Sequence, residues 1–265
     1  MITYPVAFTD TATMLRRNLR GMRRYPSLTF FIAGIPVVFL LLFVFVFGGT
    51  LGAGLGGVAG GRAEYTAYVL PGILLVTIAG AAQGTAISVA MDMSEGIIAR
   101  FRTMAVARVS VLTGHVIGSM IQTMLALAVV MAVALLIGFR PTTGPIEWLA
   151  AAGLLALAAL AVSWLSVALG MVSKSVETAS NLPMFLILLP FLSSGFVPAD
   201  SLPNGLSWFA ENQPFTPIIE TVRGLLLGTT IGSSGVLAVA WCVVISIAGF
   251  LWARKLYERP PWPSA

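Results

Sequence analysis

Six apolar runs, at about 28–47, 66–91, 109–139, 146–172, 182–196 and 235–256, leave this chain little choice of solvent. About 20 helical residues, rising ~1.5 Å each, cross the ~30 Å hydrocarbon core of a bilayer. Inside lipid every backbone polar group must be bonded within the protein, so runs of this kind fold as helices. The sequence is 58% hydrophobic and 9% charged, against about 25% charged residues in soluble domains. The expected fold class is an all-α polytopic membrane protein with six transmembrane helices. The first run begins only at Leu28 and has spanning length, which reads as a span rather than a cleavable signal.

The connectors set the orientation. If the N-terminus lies inside, the inner segments hold 12 of the 15 Lys and Arg residues, and only Arg62, Arg140 and Arg223 lie outside. Cytoplasmic connectors carry the excess of Lys and Arg, so six spans with both termini cytoplasmic are expected. The net charge of +5 comes from these flanks and gives no sign of nucleic acid binding.

Residues 1–27 form a basic arm. Phe8, Ala12, Leu15, Leu19 and Met22 make one apolar stripe, while Arg16, Arg17, Arg20, Arg23 and Arg24 crowd the other faces. That pattern predicts an amphipathic helix lying in the interface against anionic lipid. The stretch Asp92–Arg108 is the other sizeable polar segment and predicts a short amphipathic helix on the cytoplasmic surface. Asp92 can cap its first turn with Glu95 reaching back. Ile97, Ile98, Phe101, Met104 and Ala105 recur at helical spacing, with Arg100 and Arg102 largely outside that stripe.

Within the runs, Pro36 predicts a kink, and Gly80–Gly84 and Gly114–Gly118 are small-xxx-small patterns that permit close helix approach. Gln83, at mid-depth, reads as a helix–helix hydrogen bond. His115 reads as a packed or interfacial histidine, with no intramembrane carboxylate to partner it. Residues 48–61 are a glycine-rich loop, 140–145 a tight outer turn and 173–181 a short inner loop. Residues 197–230 are too polar to span yet rich in apolar side chains. Two short helices, Pro203–Ala210 and Pro217–Leu227, each opened by a proline, predict a hairpin dipping into the outer leaflet. Residues 257–265 form a proline-rich tail.

Several chemistries are missing from the sequence. Neither Lys174 nor Lys255 follows a glycine, so no phosphate-binding Gly-Lys-Ser/Thr loop exists. One cysteine, Cys242, and one histidine give neither a disulfide nor a His/Cys metal cluster. The runs hold no Asp, Glu, Lys or Arg away from their ends, whereas ion-coupled carriers use such groups. These absences point to a transporter whose energy arrives from outside the membrane.

Three motif groups then carry a resemblance. The first is Arg16-Arg-Asn-Leu-Arg20 with Tyr25-Pro-Ser27, and the second is Asp92-Met-Ser-Glu-Gly-Ile-Ile-Ala-Arg-Phe-Arg102. The third is Leu192-Ser-Ser-Gly-Phe-Val-Pro198 followed by Leu202-Pro203, Asn212-Gln-Pro-Phe-Thr216 and Arg223-Gly-Leu-Leu-Leu-Gly228. In order and spacing the chain resembles an ATP-binding-cassette type-2 permease of the daunorubicin/doxorubicin-resistance group over essentially its whole length. It departs from that pattern at Met104-Ala105, where the family often has Leu-Pro, and at His115, where an arginine is common.

The resemblance implies two permease subunits, probed first as a homodimer, with two cytoplasmic ATPase subunits that bind MgATP; no cofactor is implied on this chain. Glu95–Met104 would be the coupling helix seated on the ATPase, with Asp92 and Gly96 at its start. Glu95, Arg100 and Arg102 would offer charged contacts, and Ile97, Ile98 and Phe101 would anchor it. The arm arginines would form a second docking surface. Pro203, Asn212, Pro214, Phe215, Thr216 and Arg223 would belong to the outer re-entrant lid.

The functional expectation is the permease half of an exporter in the bacterial cytoplasmic membrane, moving an amphipathic drug, lipid or glycoconjugate. Polysaccharide or lipid-linked glycan export is a second option, against which the aromatic residues are scattered rather than lining one path. A membrane-embedded enzyme on lipid-linked substrates is an option from another class. It needs grouped carboxylates or histidines at the interface, and the sequence groups none convincingly. A third option is a membrane anchor that recruits a soluble partner without transport.

Overall fold

The computed structural model describes residues 26–49, 62–96, 108–198 and 201–258. Among them the regular structure is helical throughout. In chain order the helices are α1 (Pro26–Leu42), which runs on into a π-helical segment (Phe43–Phe47), α2 (Arg62–Ser94), α3 (Arg108–Ile137), α4 (Pro145–Val172), α5 (Val176–Asn181), α6 (Met184–Phe191), α7 (Asn204–Asn212), α8 (Phe215–Leu227) and α9 (Ser234–Tyr257).

Their ends follow local chemistry. Pro145 opens α4 directly after Gly144, where its missing N–H costs nothing. Ser175 caps α5, its hydroxyl accepting from the Thr178 N–H at 3.1 Å. Gly228, at φ +70°, ends α8 in the left-handed conformation that a residue without Cβ adopts freely.

The centre of the bundle is α2, which packs against α1, α3, α4, α5, α6 and α8. Its apolar side chains are buried on nearly every face, from Tyr65 and Val69 to Val89. The second buried helix is α4, held between α2 and α9. Two glycines on this sandwich allow the close contact. A Cβ on Gly170 of α4 would stand 2.6 Å from the Ala86 carbonyl oxygen of α2, and one on Gly249 of α9 would stand 2.8 Å from the Leu165 nitrogen of α4. The expected small-xxx-small contact is not made at Gly80, where a Cβ would meet nothing within 4 Å.

Among the described residues four helices, α2, α3, α4 and α9, are long and apolar enough to cross a membrane. The first expected span is α1 with its π-helical continuation, with Pro36 inside the helix. The fifth, expected at 182–196, differs. Its regular helix is only the eight residues of α6, about 12 Å long, which cannot cross ~30 Å. Pro183 and Pro190 each remove a backbone donor, and after Phe191 the chain leaves the helix in turns through Ser193, Ser194 and Gly195. The loop expected at 173–181 is instead largely α5.

The outer surface is apolar. Leu136 is 87% exposed, and Val38, Val46, Ile146, Val236 and Val244 are likewise open. So much exposed aliphatic surface suits hydrocarbon or partner helices rather than water.

Candidate functional site

The ends of α2 define the two regions of interest. At its N-terminal end lies a polar joint. Arg223 of α8 reaches across, its Nη2 donating to the Tyr68 carbonyl of α2 at 3.1 Å and to the Ser194 carbonyl at 2.8 Å. Its guanidinium carbon stands 3.9 Å from the centroid of the Tyr68 ring, a cation–π contact. The Tyr68 hydroxyl donates to the same Ser194 carbonyl at 3.0 Å. Burial lowers the Arg223 pKa from its ordinary value, and Tyr68 and Glu220 pull it back up; arginine stays charged in such a setting. Glu220 in turn accepts from the Ser234 hydroxyl of α9 at 2.8 Å.

The corner between α7 and α8 completes this joint. Gln213 donates through Nε2 to the carbonyls of Leu189 and Leu192 at 3.0 and 2.8 Å, tying the corner to the end of α6; the Leu189 carbonyl also accepts from the Leu192 N–H at 3.1 Å. Thr216 donates to the Ala210 carbonyl and accepts from the Ser194 N–H at 3.5 Å. Gly72 of α2 and Gly195 touch here: a Cβ on Gly72 would stand 2.9 Å from the Gly195 oxygen. Three buried atoms of the joint, Arg223 Nε, Ser194 Oγ and Gln213 Oε1, have no protein hydrogen-bond partner. Water or another polar group must meet them.

At the C-terminal end of α2 the sequence expectation needs correcting. Asp92 does not cap a new helix. It lies inside α2, which continues to Ser94 because no breaker precedes Gly96. Gly96, at φ +69°, closes the helix, its N–H donating to the Met93 carbonyl at 3.2 Å. The Asp92 side chain turns to α3, where its Oδ2 lies 3.1 Å from His115 Nε2. Both residues are buried, at 7% and 6% exposure. His115 therefore has the carboxylate partner that the sequence reading denied it. The misplaced boundary at Met91 hid that partner. Glu95 is exposed in the turn after α2. The rest of the expected surface helix (Ile97, Ile98, Arg100, Phe101, Arg102, Met104) and the arm arginines 16, 17, 20, 23 and 24 lie outside the described residues.

Between these ends, hydroxyls tie the central helices. Ser119 of α3 pairs with Thr85 of α2 at 2.5 Å and with Ser163 of α4 at 3.2 Å. Gln83 donates to the Ser180 carbonyl of α5 at 2.8 Å, the helix–helix bond its position suggested.

Comparison with known proteins identifies the architecture. Residues 9–227 match the family described as ABC-2 type transporter. The chain belongs to the ABC-2 type transporter family. It is similar to the "Daunorubicin resistance ABC transporter permease protein DrrB1" of Streptomyces coeruleorubidus, at 29% identity over 224 residues, covering 84% of this chain and 77% of the relative. It is also similar to the "Probable doxorubicin resistance ABC transporter permease protein DrrC" of Mycobacterium tuberculosis, at 23% identity over 180 residues and 65% of each chain. The protein is thus an ABC-2 permease homologous to drug-resistance permeases, a multi-pass membrane protein with bacterial relatives. The family match spans the connector after α2 and the hairpin α7–α8, and ends at the last residue of α8.

Of the residues assigned to the lid, Phe215 and Thr216 are buried beside the Tyr68–Ser194 joint, and Arg223 is half-buried in it. Pro203 and Pro214 cap α7 and α8, so the second helix opens at Pro214 rather than at Pro217. Asn212 stays apart, its amide donating to the Trp208 carbonyl at 2.8 Å on an exposed turn. The sequence reading missed Tyr68, Ser194, Gln213 and Glu220 as partners. Only an arginine within an apolar helix, which needs acceptors nearby, signalled them.

Proposed function

We propose that this chain is the permease subunit of an ATP-driven exporter that moves an amphipathic drug-like molecule out of the cytoplasm or inner leaflet. The observation that carries the reading is the family match from residue 9 to 227 on a chain whose sequence holds no nucleotide-binding loop. The energy then comes from a separate ATPase that binds MgATP, in two copies, beneath a pair of permeases, most simply two copies of this chain. Six crossings with both termini cytoplasmic follow from the Lys and Arg asymmetry. The fifth crossing needs α5, α6 and the turns after them acting together.

In this reading the connector from Glu95 to Met104 is the handle on the ATPase, and α7–α8 is the outer lid. One helix joins them. Tyr68 and Asp92 both lie on α2, about 36 Å apart along its axis. A tilt imposed at the connector reaches the Arg223 joint along this one helix, which carries Pro71 close to the joint. An amphipathic substrate is in keeping with the drug-resistance names of the relatives.

The test is affinity purification of the tagged chain from native membranes in mild detergent. A nucleotide-binding ATPase and vanadate-sensitive hydrolysis are expected with the wild type. Both are expected to fall sharply in a Glu95→Ala/Arg100→Ala/Phe101→Ala variant. Recovery of the chain without an ATPase, by native-membrane crosslinking as well as in detergent, sinks the exporter reading.

A further inference from the structure

Asp92 sits two residues before the end of α2, and His115 sits two turns into α3. They face each other across the base of the connector at 95–107, 23 residues apart in sequence. A carboxylate near a helix C-terminus opposes the negative end of the helix dipole, and a buried one is disfavoured unless paired. Here both costs are borne in one place. With its proton on Nε2, the imidazole donates directly to the carboxylate, a charge-assisted bond that is short-ranged and directional. The helices that carry the pair also carry a buried apolar cluster that includes Val89, Leu112 and Val116, with Val167 and Met171 of α4. The burial of both side chains keeps water away and strengthens the attraction. Farther along the same interface, the Thr85–Ser119 pair adds a neutral tie between α2 and α3.

We propose that Asp92 and His115 are a positioning pair that clamps the two roots of the connector, so that a push on residues 95–107 moves the ends of α2 and α3 as one body. The proposal rests on the exporter reading. Without the clamp, a connector tethered only by backbone can shift while the helix ends splay, and the motion dissipates at the surface. With it, displacement at the connector is delivered to α2, which carries it the length of the bundle.

The experiment uses the permease–ATPase complex in nanodiscs and compares amide hydrogen exchange in the nucleotide-free and vanadate-trapped states. Three segments are followed: 85–94, 95–107 and 108–120. In the wild type all three are expected to change on trapping. In Asp92→Asn and His115→Gln, which keep side-chain size, the connector is expected to respond still, while the response of both helix ends is lost. The exchanged pair Asp92→His/His115→Asp is expected to restore it. A purely structural role would change protection equally in both nucleotide states, and the swap would not recover the difference.

Helix ends that respond in the single variants as in the wild type overturn the pair's role, as does a swap that restores nothing. So does a wild-type complex whose helix ends do not respond at all. Should one single variant fail to assemble, the other and the swap carry the comparison. A wild-type chain that captures no ATPase overturns the exporter reading and this proposal with it, and is seen before any variant is made.

Discussion

The Arg223 guanidinium lies 3.9 Å from the centre of the Tyr68 ring, and Arg223 Nη2 and the Tyr68 hydroxyl share a single acceptor, the Ser194 carbonyl. Three elements meet there: α8, the start of α2 and the turn after α6. The sharing makes their contributions separable. Arg223→Leu removes the cation–π contact and two charged hydrogen bonds, yet Ser194 keeps its bond from Tyr68. Desolvated cation–π contacts contribute about 2 kcal/mol and hydrogen bonds to charged groups about 1.5–3 kcal/mol; within one half-buried side chain these do not add, and a loss of about 2–4 kcal/mol is expected. Arg223→Lys keeps the charge but not the planar fork, and falls between. Tyr68→Phe keeps the ring and loses one bond, costing about 1 kcal/mol. Reversible denaturation in mixed micelles measures all three, and equal effects of Tyr68→Phe and Arg223→Leu would contradict this division.

Gln213 makes a second, independent prediction. Its amide serves the carbonyls of both Leu189 and Leu192 at the end of α6. Gln213→Leu removes both half-buried bonds, at about 0.5–1.5 kcal/mol for each, although the Leu189 carbonyl keeps the Leu192 N–H. Asn212→Leu, one residue earlier, breaks only an exposed bond within α7 and is expected to cost under about 1 kcal/mol. Thermal unfolding of the two variants side by side checks the contrast. Local loss at α6 is expected as faster hydrogen exchange over residues 184–195 in Gln213→Leu alone.

How legible this architecture was depended on the kind of signal. Long apolar runs were read correctly because lipid imposes one rule over twenty residues, and α2, α3, α4 and α9 begin and end within a few residues of expectation. The run at 182–196 misled because apolarity does not by itself make a helix: Pro183 and Pro190 leave only eight regular residues. Boundaries placed at the first charged residue misled at Asp92. A helix ends where its backbone is broken, at Gly96, and not where a polar side chain appears. The pairing of Asp92 with His115 was then invisible, because it depends on how two helices rotate against each other. Arg223 was read as an outer positive charge, and it is also a half-buried tie between α8 and α2. Gly80 made no close contact for a related reason. Gly80–Gly84 has the favoured spacing, but contact depends on which face a neighbour occupies, and Gly170 and Gly249 carry the close approaches.

The hydroxyl cluster gives a prediction of a small effect. Ser119→Ala removes the shared partner of Thr85 and Ser163. Thr85 also donates to its own Ala81 carbonyl at 3.1 Å, so it retains a partner after the change. Interhelical hydrogen bonds in membranes average about 0.6 kcal/mol, and a loss of that order is expected. A loss as large as that of Arg223→Leu would mean that the cluster, rather than apolar packing, holds α2, α3 and α4 together.

The strongest test of the packing compares one substitution at two glycines. In a helix, alanine is favoured over glycine by about 0.5–1 kcal/mol. At Gly80 a Cβ meets nothing within 4 Å, so Gly80→Ala is expected to be neutral or to stabilise by that amount. At Gly170 the same methyl would stand 2.6 Å from the Ala86 oxygen and 3.0 Å from the Val89 Cβ. Backbone oxygen cannot rotate away as a side chain can, so α4 must move off α2, giving up contact along the most buried interface of the bundle. Overpacking of this kind costs about 1–3 kcal/mol, which outweighs the propensity gain. The two variants should therefore move the denaturation midpoint in opposite directions, or leave Gly80→Ala unchanged while Gly170→Ala falls. If Gly170→Ala is as stable as the wild type, α2 and α4 do not approach as closely in the membrane, and the account of α2 as the rigid centre of the bundle fails with it.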